Sequence, residues 1–299
     1  MQTTRPEISA IIITYNPEIK RLTENISAVL KQFHTVLIVD NGSTNINDIK
    51  EALNDQKVDI IELHENKGIA YAQNIGVAYF QEKGDGWVLM LDQDTVIPEN
   101  AYERMTSLPQ FNNEKTGILG MRYLPRDSDQ DVHQVTRIIA SGNLINIRAW
   151  DKVLGFDNQL FIDQVDFDFN YKLQLAGYDI WQIDSLKLNH DVGKMPTHIR
   201  YAQILNKLFD LNITEHSVMR NYYIHRNTLI VRKRYPELFE KPNMPKFILK
   251  MLILSFSYEK PFKKIKSALK GISDAAKYNV EDDHNFQKFK KVWINERPK

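Results

Sequence analysis

Two carboxylates separated by one residue follow an apolar run in the first third of the chain. The run covers residues 87–91 and is followed by Asp92 and Asp94. A short apolar run predicts a buried strand, and an ionised carboxylate is rarely buried without a partner. We therefore expect both carboxylates at the carboxyl end of a central strand, where open α/β sheets bind ligands. The pair could bind a divalent cation that holds a diphosphate, although a lone Asp-x-Asp is more often an ordinary polar turn.

Strand and helix patterns alternate four times over the first 95 residues. The strand patterns cover residues 8–15, 36–39, 58–63 and 87–91. Apolar residues at helical spacing lie between these runs, which predicts a parallel sheet with right-handed crossover connections.

Polar residues follow each of the four predicted strands. They are Thr14, Tyr15 and Asn16; Asp40 and Asn41; Asn66, Lys67 and Gly68; and Asp92, Gln93 and Asp94. Because the carboxyl ends of parallel strands meet at one edge, these residues predict a nucleotide-sized crevice. The sequence has neither a Gly-x-Gly-x-x-Gly pattern nor a P-loop, so a metal on the two carboxylates would have to hold the phosphates.

A second group of carboxylates lies in the middle of the chain. Residues 161–176 predict a helix in which Asp163 and Asp166 border the buried stripe and Asp168 points to the far side. Asp163 could cap the helix and Asp166 could be a first-turn acid. Alternatively, burial and a neighbouring like charge could raise their pKa values towards those of a general base.

Four further positions are candidates for ligand contacts. Ser141 and Gly142 interrupt a strand-like run, which indicates either close approach by a ligand or backbone, or a bulge. His190 is either a structural or surface histidine or a third metal ligand. Arg220 and Arg226 lie six residues apart on a basic, aromatic helix, so they do not share a face closely. One could bind phosphate or acceptor while the other is a solvated charge.

The composition restricts the class of protein. The 299 residues are enough for one large domain or two smaller ones, and 42% hydrophobic with 26% charged residues is typical of a soluble globular protein. The net charge of +1 provides no overall field for nucleic acid. The lack of cysteine excludes disulfides and thiolate chemistry. The polar start lacks signal-peptide form, and no apolar run approaches the roughly 18 residues of a membrane span. These features predict a cytoplasmic protein.

The last part of the chain is predicted to be helical and basic. Residues 247–256 are apolar but too few to span a bilayer. After Pro261, apolar residues recur at helical spacing with lysines between them: Phe262, Ile265, Leu269 and Ile272, with Lys263, Lys264, Lys266 and Lys270. Such a helix either lies on an anionic membrane surface or covers a core with a solvated basic face.

Taken in order, these motifs resemble glycosyltransferase family 2. The shared segments are Thr14-Tyr15-Asn16, Val39-Asp40-Asn41-Gly42-Ser43-Thr44, Asn66-Lys67-Gly68 with Asn74-Ile75-Gly76, and Leu91-Asp92-Gln93-Asp94-Thr95. The segments that look like the rhamnosyltransferase branch are Leu91-Asp92-Gln93-Asp94, Ser141-Gly142-Asn143-Leu144, Phe161-Ile162-Asp163-Gln164-Val165-Asp166 and Arg220-Asn221-Tyr222-Tyr223. The resemblance covers about residues 8–227.

The resemblance implies a fold and an organisation. The expected fold is α/β of the GT-A type: a Rossmann-like, mostly parallel central sheet flanked by helices, with a helical C-terminal extension. The expected domains are a glycosyltransferase domain at residues 1–230 and a basic, amphipathic region at 231–299. Within the first domain, residues 1–95 would form the nucleotide-sugar half and 96–230 the acceptor half.

The resemblance also implies roles for individual residues. Contacts with the base and ribose would come from Thr14, Tyr15, Asn16 and Asp40, and the donor pocket would be lined by Asn66, Lys67, Gly68 and Asn74. Further nucleotide-sugar contacts are expected from Asp92, Gln93, Ser141, Gly142, Arg220 and Arg226. Asp92 and Asp94 would hold Mg²⁺ or Mn²⁺, with His190 as a candidate further ligand.

The chain departs from the commoner family pattern at the position of the catalytic base. That pattern has Glu-Asp before Val-Asp, whereas this chain has Asp163-Gln164, so glutamine occupies the usual base position. Because an amide is not a useful proton acceptor, the base is expected to be Asp163 or Asp166, and we favour Asp163. Its alternative role is to orient the acceptor or a basic side chain.

The function implied is an inverting, metal-dependent transfer of L-rhamnose from dTDP-rhamnose to a hydroxyl of a bacterial surface glycan, which would be lipid-linked. One alternative is the same reaction with a UDP-sugar donor, and another is a non-catalytic module that binds a nucleotide sugar or glycan. The basic C-terminal region would place the protein peripherally at the inner face of the plasma membrane. Nucleic acid is not an expected partner, and the sequence does not indicate an oligomeric state.

Overall fold

The computed structural model describes residues 6–54, 57–123, 130–190, 201, 203–204, 207, 215–239 and 243–296. The chain divides into two compact units. Unit 1 comprises Met1–Phe161, Val165–Asp191 and Lys288–Lys299, and unit 2 comprises Ile162–Gln164 and Val192–Gln287. Over the described residues, no helix is both long and apolar enough to cross a membrane.

Unit 1 is built on a mixed eight-stranded sheet. Its strands are β1 (Ser9–Thr14), β2 (Val36–Asp40), β3 (Val58–Glu62), β4 (Trp87–Asp92), β6 (Thr116–Arg122), β7 (Val132–Gln134), β8 (Asn143–Asn146) and β9 (Asp179–Lys187). The order is β3-β2-β1-β4-β8-β6-β9-β7, and a separate two-stranded sheet pairs β5 (Thr95–Val96) with β10 (Asn189–His190). Strands β3, β2, β1 and β4 are parallel, whereas β8 runs antiparallel to both β4 and β6.

Helices cover both faces of the parallel half of the sheet. In unit 1 they are α1 (Ile19–Leu30), α2 (Ile46–Leu53), α3 (Ile69–Lys83), α4 (Ala101–Thr106), α5 (Ile147–Lys152) and α6 (Val165–Leu175), with short 3₁₀ turns at Pro109–Asn112 and Asn158–Leu160. Every residue of β1 and β2 is buried. Strands covered on both faces are continuously apolar, which explains why the sequence showed them clearly. The predicted α/β fold with flanking helices is confirmed.

The strand predicted across residues 137–146 is shorter in the structure. Strand β8 covers only Asn143–Asn146, and Gly142 before it has a φ of +82°. A Cβ atom at this glycine would lie 2.6 Å from the side chain of Leu188. The close approach that the glycine permits is therefore made by another part of the same unit.

The acidic helix also differs from the prediction. Helix α6 begins at Val165, because Asp163 and Gln164 have φ angles of +63° and +67° and lie outside the helical conformation. Asp168, predicted on the far side, is completely buried, and its carboxylate lies 3.9 Å from the Nζ of Lys172. The reason is that α6 is covered on both sides, so the far side of its apolar stripe is not solvent.

The described part of unit 2 is helical. Its main helices are α7 (Val218–Arg234), α8 (Met244–Ser255) and α9 (Pro261–Lys277), followed by a 3₁₀ turn at Val280–Asp282. Helix α10 (His284–Glu296) crosses the boundary between the units. Helices α7 and α9 pack closely, since a Cβ at Gly271 would lie 2.5 Å from the carbonyl oxygen of Tyr222.

Candidate functional site

The polar residues that follow the parallel strands lie together at one edge of the sheet in unit 1. Asp40 is the centre of one hydrogen-bond network there. Its carboxylate is buried and accepts hydrogen bonds from the hydroxyls of Thr14 (2.8 Å) and Ser43 (2.5 Å). The backbone N–H groups of Gly42 and Ser43 also donate to it, at 3.1 and 2.8 Å. Neutral donors thus satisfy the carboxylate, and they fix the loops after β1 and β2 against each other.

The loop after β1 is also tied to the loop after β4. The backbone N–H of Tyr15 donates to Oε1 of Gln93 at 2.8 Å, while the Tyr15 side chain remains exposed. Asn16 donates its N–H to Ser43, and its Oδ1 accepts from the N–H and hydroxyl of Thr44, each at 2.8 Å. The amide of Gln93 therefore positions the exposed Tyr15 ring at the rim of the sheet edge.

The loop after β3 is held by an asparagine pair. Nδ2 of Asn41 donates to Oδ1 of Asn66 at 3.1 Å, and this oxygen also accepts from the N–H of Gly68 at 3.0 Å. The N–H of Lys67 donates to Oδ1 of Asn41 at 2.9 Å. Gly68 has a φ of +88°, and a Cβ there would lie 2.8 Å from Cα of Phe161, so this position requires glycine.

Asn74, which we predicted in the donor pocket, makes four hydrogen bonds within unit 1. Its Nδ2 donates to the carbonyl of Phe156 and to Oδ1 of Asn158, both at 2.9 Å. Its Oδ1 accepts from the N–H of Phe156 at 2.9 Å and from Nε1 of Trp150 at 3.2 Å. The Asn74 side chain therefore fixes the loop over residues 156–158 through these hydrogen bonds.

The backbone around the paired carboxylates is anchored on three sides. The N–H of Asp92 donates to Oγ of Ser141 at 2.9 Å, and its carbonyl accepts from Nδ2 of Asn25 at 2.8 Å. The carbonyl of Asp94 accepts from Nε of Arg21 at 2.9 Å. The hydroxyl of Ser141 in turn donates a hydrogen bond to Oγ1 of Thr95 at 2.9 Å. Sequence reasoning missed the two α1 residues, whose i, i+4 spacing was the available signal.

The pair of carboxylates is a donor set that suits Mg²⁺ or Mn²⁺. Both side chains are partly buried at the end of β4. Within the described residues, no group of three or more His, Asp or Glu side chains could hold a metal ion. Mg²⁺ is commonly bound by one or two carboxylates together with substrate phosphates and water, so two carboxylates are sufficient. The backbone of His190 lies opposite Thr95 in the β5–β10 pair, whereas its side chain lies outside the described residues.

Asp163, our preferred base, forms an ion pair within unit 2. Nε of Arg220 lies 3.0 and 3.2 Å from its two carboxylate oxygens, and Nη2 lies 3.0 Å from Oδ1. Nδ2 of Asn227 donates to the carbonyls of Ile162 and Asp163, at 2.8 and 3.0 Å. Burial raises the pKa of the Asp163 carboxyl above its ordinary value, and the Arg220 cation only partly opposes this.

A histidine that sequence reasoning missed is influenced by the charge of Arg220, the partner of Asp163. Burial and the Arg220 cation lower the pKa of His216 to about 4, so its imidazole is neutral at pH 7. The other candidate arginine, Arg226, has a different environment, because its guanidinium lies 5.3 Å from the ring centroid of Tyr223. The two arginines therefore have different surroundings.

The second candidate base, Asp166, lies in unit 1 and directly precedes Phe167, which lines a cavity. Its Oδ1 accepts from the N–H of Phe167 at 2.9 Å. Phe167 borders a cavity of about 490 Å³, together with Tyr123, Gln134, Arg137 and Gln182. The Arg137 guanidinium lies 5.4 Å from the Phe167 ring centroid. Aromatic rings beside amide and guanidinium donors can stack on and hydrogen-bond to a polar ligand.

Comparison with known proteins identifies the class. Residues 9–171 match the family described as Glycosyl transferase family 2, and the chain belongs to this family. It is a glycosyltransferase.

Among curated proteins, the chain is similar to the dTDP-rhamnosyl transferase RfbF of Shigella flexneri. The two are 31% identical over 255 residues, which cover 77% of this chain and 82% of that protein. A hyaluronan synthase of Streptococcus pyogenes is 35% identical over 132 residues, or 39% of this chain. The chain matches only 30% of the synthase's length.

Solved structures share the fold at low sequence identity. The structure of GalNAc-T7 with UDP, GalNAc and Mn²⁺ is 14% identical with a TM-score of 0.53, over 90% of this chain and 55% of that one. The structure of S. aureus TarS is 14% identical with a TM-score of 0.50, over 95% and 55%. The chain thus spans about half the length of these structures. The GT-A fold implied by the resemblance is confirmed.

Proposed function

We propose that this glycosyltransferase moves L-rhamnose from dTDP-L-rhamnose to a hydroxyl of a bacterial surface glycan, with inversion at the anomeric carbon. The observation that carries the proposal is the similarity to a dTDP-rhamnosyl transferase across 77% of the chain. One alternative is the same reaction with a UDP-sugar donor, since a glycosyltransferase of the same fold has been solved with UDP. A non-catalytic module that binds a nucleotide sugar or glycan is the third alternative.

Unit 1 would bind the nucleotide and the leaving diphosphate. The exposed ring of Tyr15 and the loops of Thr14, Asn16 and Asp40, which hydrogen bonds hold together at the sheet edge, would contact the base and ribose. Lys67 is exposed beside them and could pair with phosphate. Asn66, Gly68 and Asn74 would shape the donor pocket, and Gln93, Ser141 and Gly142 would hold the loop around the carboxylates.

The carboxylates of Asp92 and Asp94 would hold Mg²⁺ or Mn²⁺, with His190 as a candidate third ligand from β10. When bound, the cation would offset the negative charge that develops on the leaving diphosphate. The chain's own contribution is to fix the two peptides, through Ser141, Asn25 and Arg21, before substrate arrives.

In unit 2, Asp163 would be the general base. Its carboxylate would accept the proton of the acceptor hydroxyl as that oxygen attacks the anomeric carbon on the face opposite the diphosphate. The bond between the anomeric carbon and the diphosphate oxygen breaks, and its electron pair leaves with the diphosphate. The raised pKa of Asp163 supports this role, and Arg220 would orient the carboxylate. Asp166 is the alternative base.

The cavity beside Phe167 is our proposed position for an acceptor sugar, because saccharides bind to aromatic faces flanked by hydrogen-bonding groups. Replacing Phe167 by alanine should raise the KM for acceptor about tenfold while leaving the donor affinity unchanged. An unchanged acceptor KM would show that the acceptor does not bind in this cavity.

We also propose a lipid-linked acceptor and a peripheral contact with an anionic membrane.

The donor is tested by thermal stability with Mn²⁺ and dTDP, compared with Mn²⁺ and UDP, GDP or ADP. A ligand that binds the native state raises the midpoint of unfolding, so dTDP should give the largest shift, and EDTA should remove it. A selective shift with UDP would indicate that the donor is a UDP-sugar instead. No shift with any nucleotide would overturn the nucleotide-sugar proposal.

The metal is tested with Asp92→Ala and Asp94→Ala. Each should abolish metal-dependent turnover and the part of the dTDP shift that EDTA removes, while the unfolding midpoint without ligand stays close to that of the wild type. Wild-type turnover in either variant would contradict the metal assignment.

A further inference from the structure

The C-terminal helices carry four exposed apolar side chains. Leu249 in α8 and Phe256 after its last turn lie seven residues apart, and so do Phe262 and Leu269 in α9. Residues at this spacing share one face of a helix. The rings of Phe256 and Phe262 meet edge to face with centroids 6.2 Å apart, so the two rows join at the turn between the helices. We call these four residues the apolar corner.

The apolar corner is not the face by which α9 packs in its unit. The buried residues of this helix are Lys264, Ala268, Gly271 and Ala275. Phe262, by contrast, is 76% exposed. Sequence reasoning offered a core stripe or a membrane stripe for Phe262, Ile265, Leu269 and Ile272, and small residues on the opposite side in fact make the close helix contact. Exposed clusters of large apolar side chains mark interaction surfaces.

Lysines surround this corner. Seven exposed lysines lie on or between α8 and α9: Lys246, Lys250, Lys260, Lys263, Lys266, Lys270 and, at the last position of α9, Lys277. Glu259 is the one acidic residue in positions 243–273. The whole chain has a net charge of +1, so the positive charge is concentrated here. An apolar protein partner would not require this excess of one sign, whereas an anionic lipid surface complements it.

We infer that the apolar corner inserts into the headgroup region of an anionic bilayer, with the two phenylalanines entering first and the flanking lysines contacting lipid phosphates. This deepens the proposed membrane contact and does not depend on the donor sugar. Exposed aromatic rings are suited to the interface between headgroups and acyl chains, and lysine stems can extend from it to place the ammonium group in water.

The test is cosedimentation of the full chain with vesicles of phosphatidylcholine alone or with 30% phosphatidylglycerol, at two salt concentrations. We expect binding to the anionic vesicles only, weakened by salt. Phe256→Ser with Phe262→Ser should weaken it by tenfold or more, since each ring contributes apolar burial. Lys263→Glu with Lys266→Glu should weaken it by about 25-fold or more, since each lysine near the surface contributes about a fivefold gain.

Matched controls distinguish this surface from general stickiness or charge. Leu238→Ser removes an exposed apolar side chain of the same unit outside α8 and α9. Lys288→Glu with Lys291→Glu makes the same change in net charge on α10. Both controls should bind vesicles like the wild type. The dTDP thermal shift should be unchanged in all these variants, so a failure here is separable from a failure of the nucleotide-sugar proposal.

Three results would overturn the inference. The first is absence of wild-type binding to anionic vesicles, and the second is equal loss of binding in the lysine controls. The third is a dimer in solution that the double phenylalanine variant converts to monomer while vesicle binding is absent, which would make a second copy the occupant of the corner.

Discussion

The two ends of helix α7 each carry an arginine paired with an aspartate, and the two pairs differ in their surroundings. At the start, Arg220 pairs with Asp163, and the side chains are 44% and 13% exposed. At the end, Arg234 pairs with Asp283 at 2.6 Å, and both side chains are only 1% exposed. The pKa of Asp283 is lowered, whereas the pKa of Asp163 is raised.

The two carboxylates accept hydrogen bonds from different numbers of donor residues. Besides the arginine, Asp283 accepts from the phenol of Tyr278 at 2.5 Å and from the N–H of Phe286 at 3.1 Å. These contacts together outweigh the effect of burial on its pKa. For Asp163, Arg220 alone opposes burial, and burial prevails. An arginine partner therefore does not by itself keep the pKa of a buried carboxyl low. The other hydrogen-bond donors to the carboxylate also influence how readily it accepts a proton.

Asp163→Asn is expected to give the largest effect that distinguishes the two arginine–aspartate pairs of α7. If Asp163 is the base, transfer should fall by about 100- to 10,000-fold while the dTDP thermal shift stays near that of the wild type. Initial rates at saturating donor measure the loss. Asp166→Asn is the matched control in the same segment, and if it alone removes transfer, then Asp166 is the base.

Arg234→Met should have its effect on folding instead. It leaves a buried carboxylate without its cation, which typically costs about 3–5 kcal/mol of unfolding free energy. Urea unfolding measures the cost, and the double variant Arg234→Met with Asp283→Leu should recover much of it. Because folding lowers the pKa of Asp283, the contribution is complete above pH about 4 and disappears as the pH falls through the folded-state value. A wild-type unfolding midpoint in Arg234→Met would show that the two ends of α7 do not differ as described.

Arg220→Met should change the pH dependence of transfer more than stability. A base must be ionised, so activity falls as the pH drops through the pKa of Asp163, which already lies above that of an ordinary aspartate. Removing the cation that opposes burial should raise this pKa further, so the acid limb moves to higher pH. The pH profile of kcat/KM measures the shift, and Arg220→Lys should restore part of it. If the acid limb of the profile stays at the same pH, then the ionisation of Asp163 does not control the rate of transfer.

Tyr278→Phe should have the smallest effect. The phenol accepts from Nε of Arg234 at 2.9 Å and donates to Asp283, so its loss leaves one hydrogen bond short on each partner. We expect about 1–2 kcal/mol of destabilisation in urea unfolding and no change in transfer. Tyr222→Phe, which removes a more exposed hydrogen bond to Asp274, is the control and should cost less.

The parallel half of the sheet could be predicted because its signals are local. Three of its four strands, β1, β2 and β4, contain continuous apolar runs, and the polar residues at their ends follow directly in the sequence, as at Asp40 and Asp92. The surroundings of Asp163 could not be predicted, because Arg220 lies 57 residues further along the chain and because positive φ angles interrupt the helix pattern. The packing face of α9 was also ambiguous, since Gly271 and two alanines supply close contact without a strong apolar signal.

The two ends of the central sheet have a consequence for how the protein behaves when concentrated. Strand β3 lies at one end of the described sheet, and its Asp59 is exposed and accepts from the hydroxyl of Tyr79 at 2.5 Å. Strand β7, at the other end, is only three residues long. A charged edge and a short edge both discourage strand pairing between molecules. Replacing Asp59 by an apolar residue would remove one of the two charges on this edge strand and so favour pairing with the edge of another molecule.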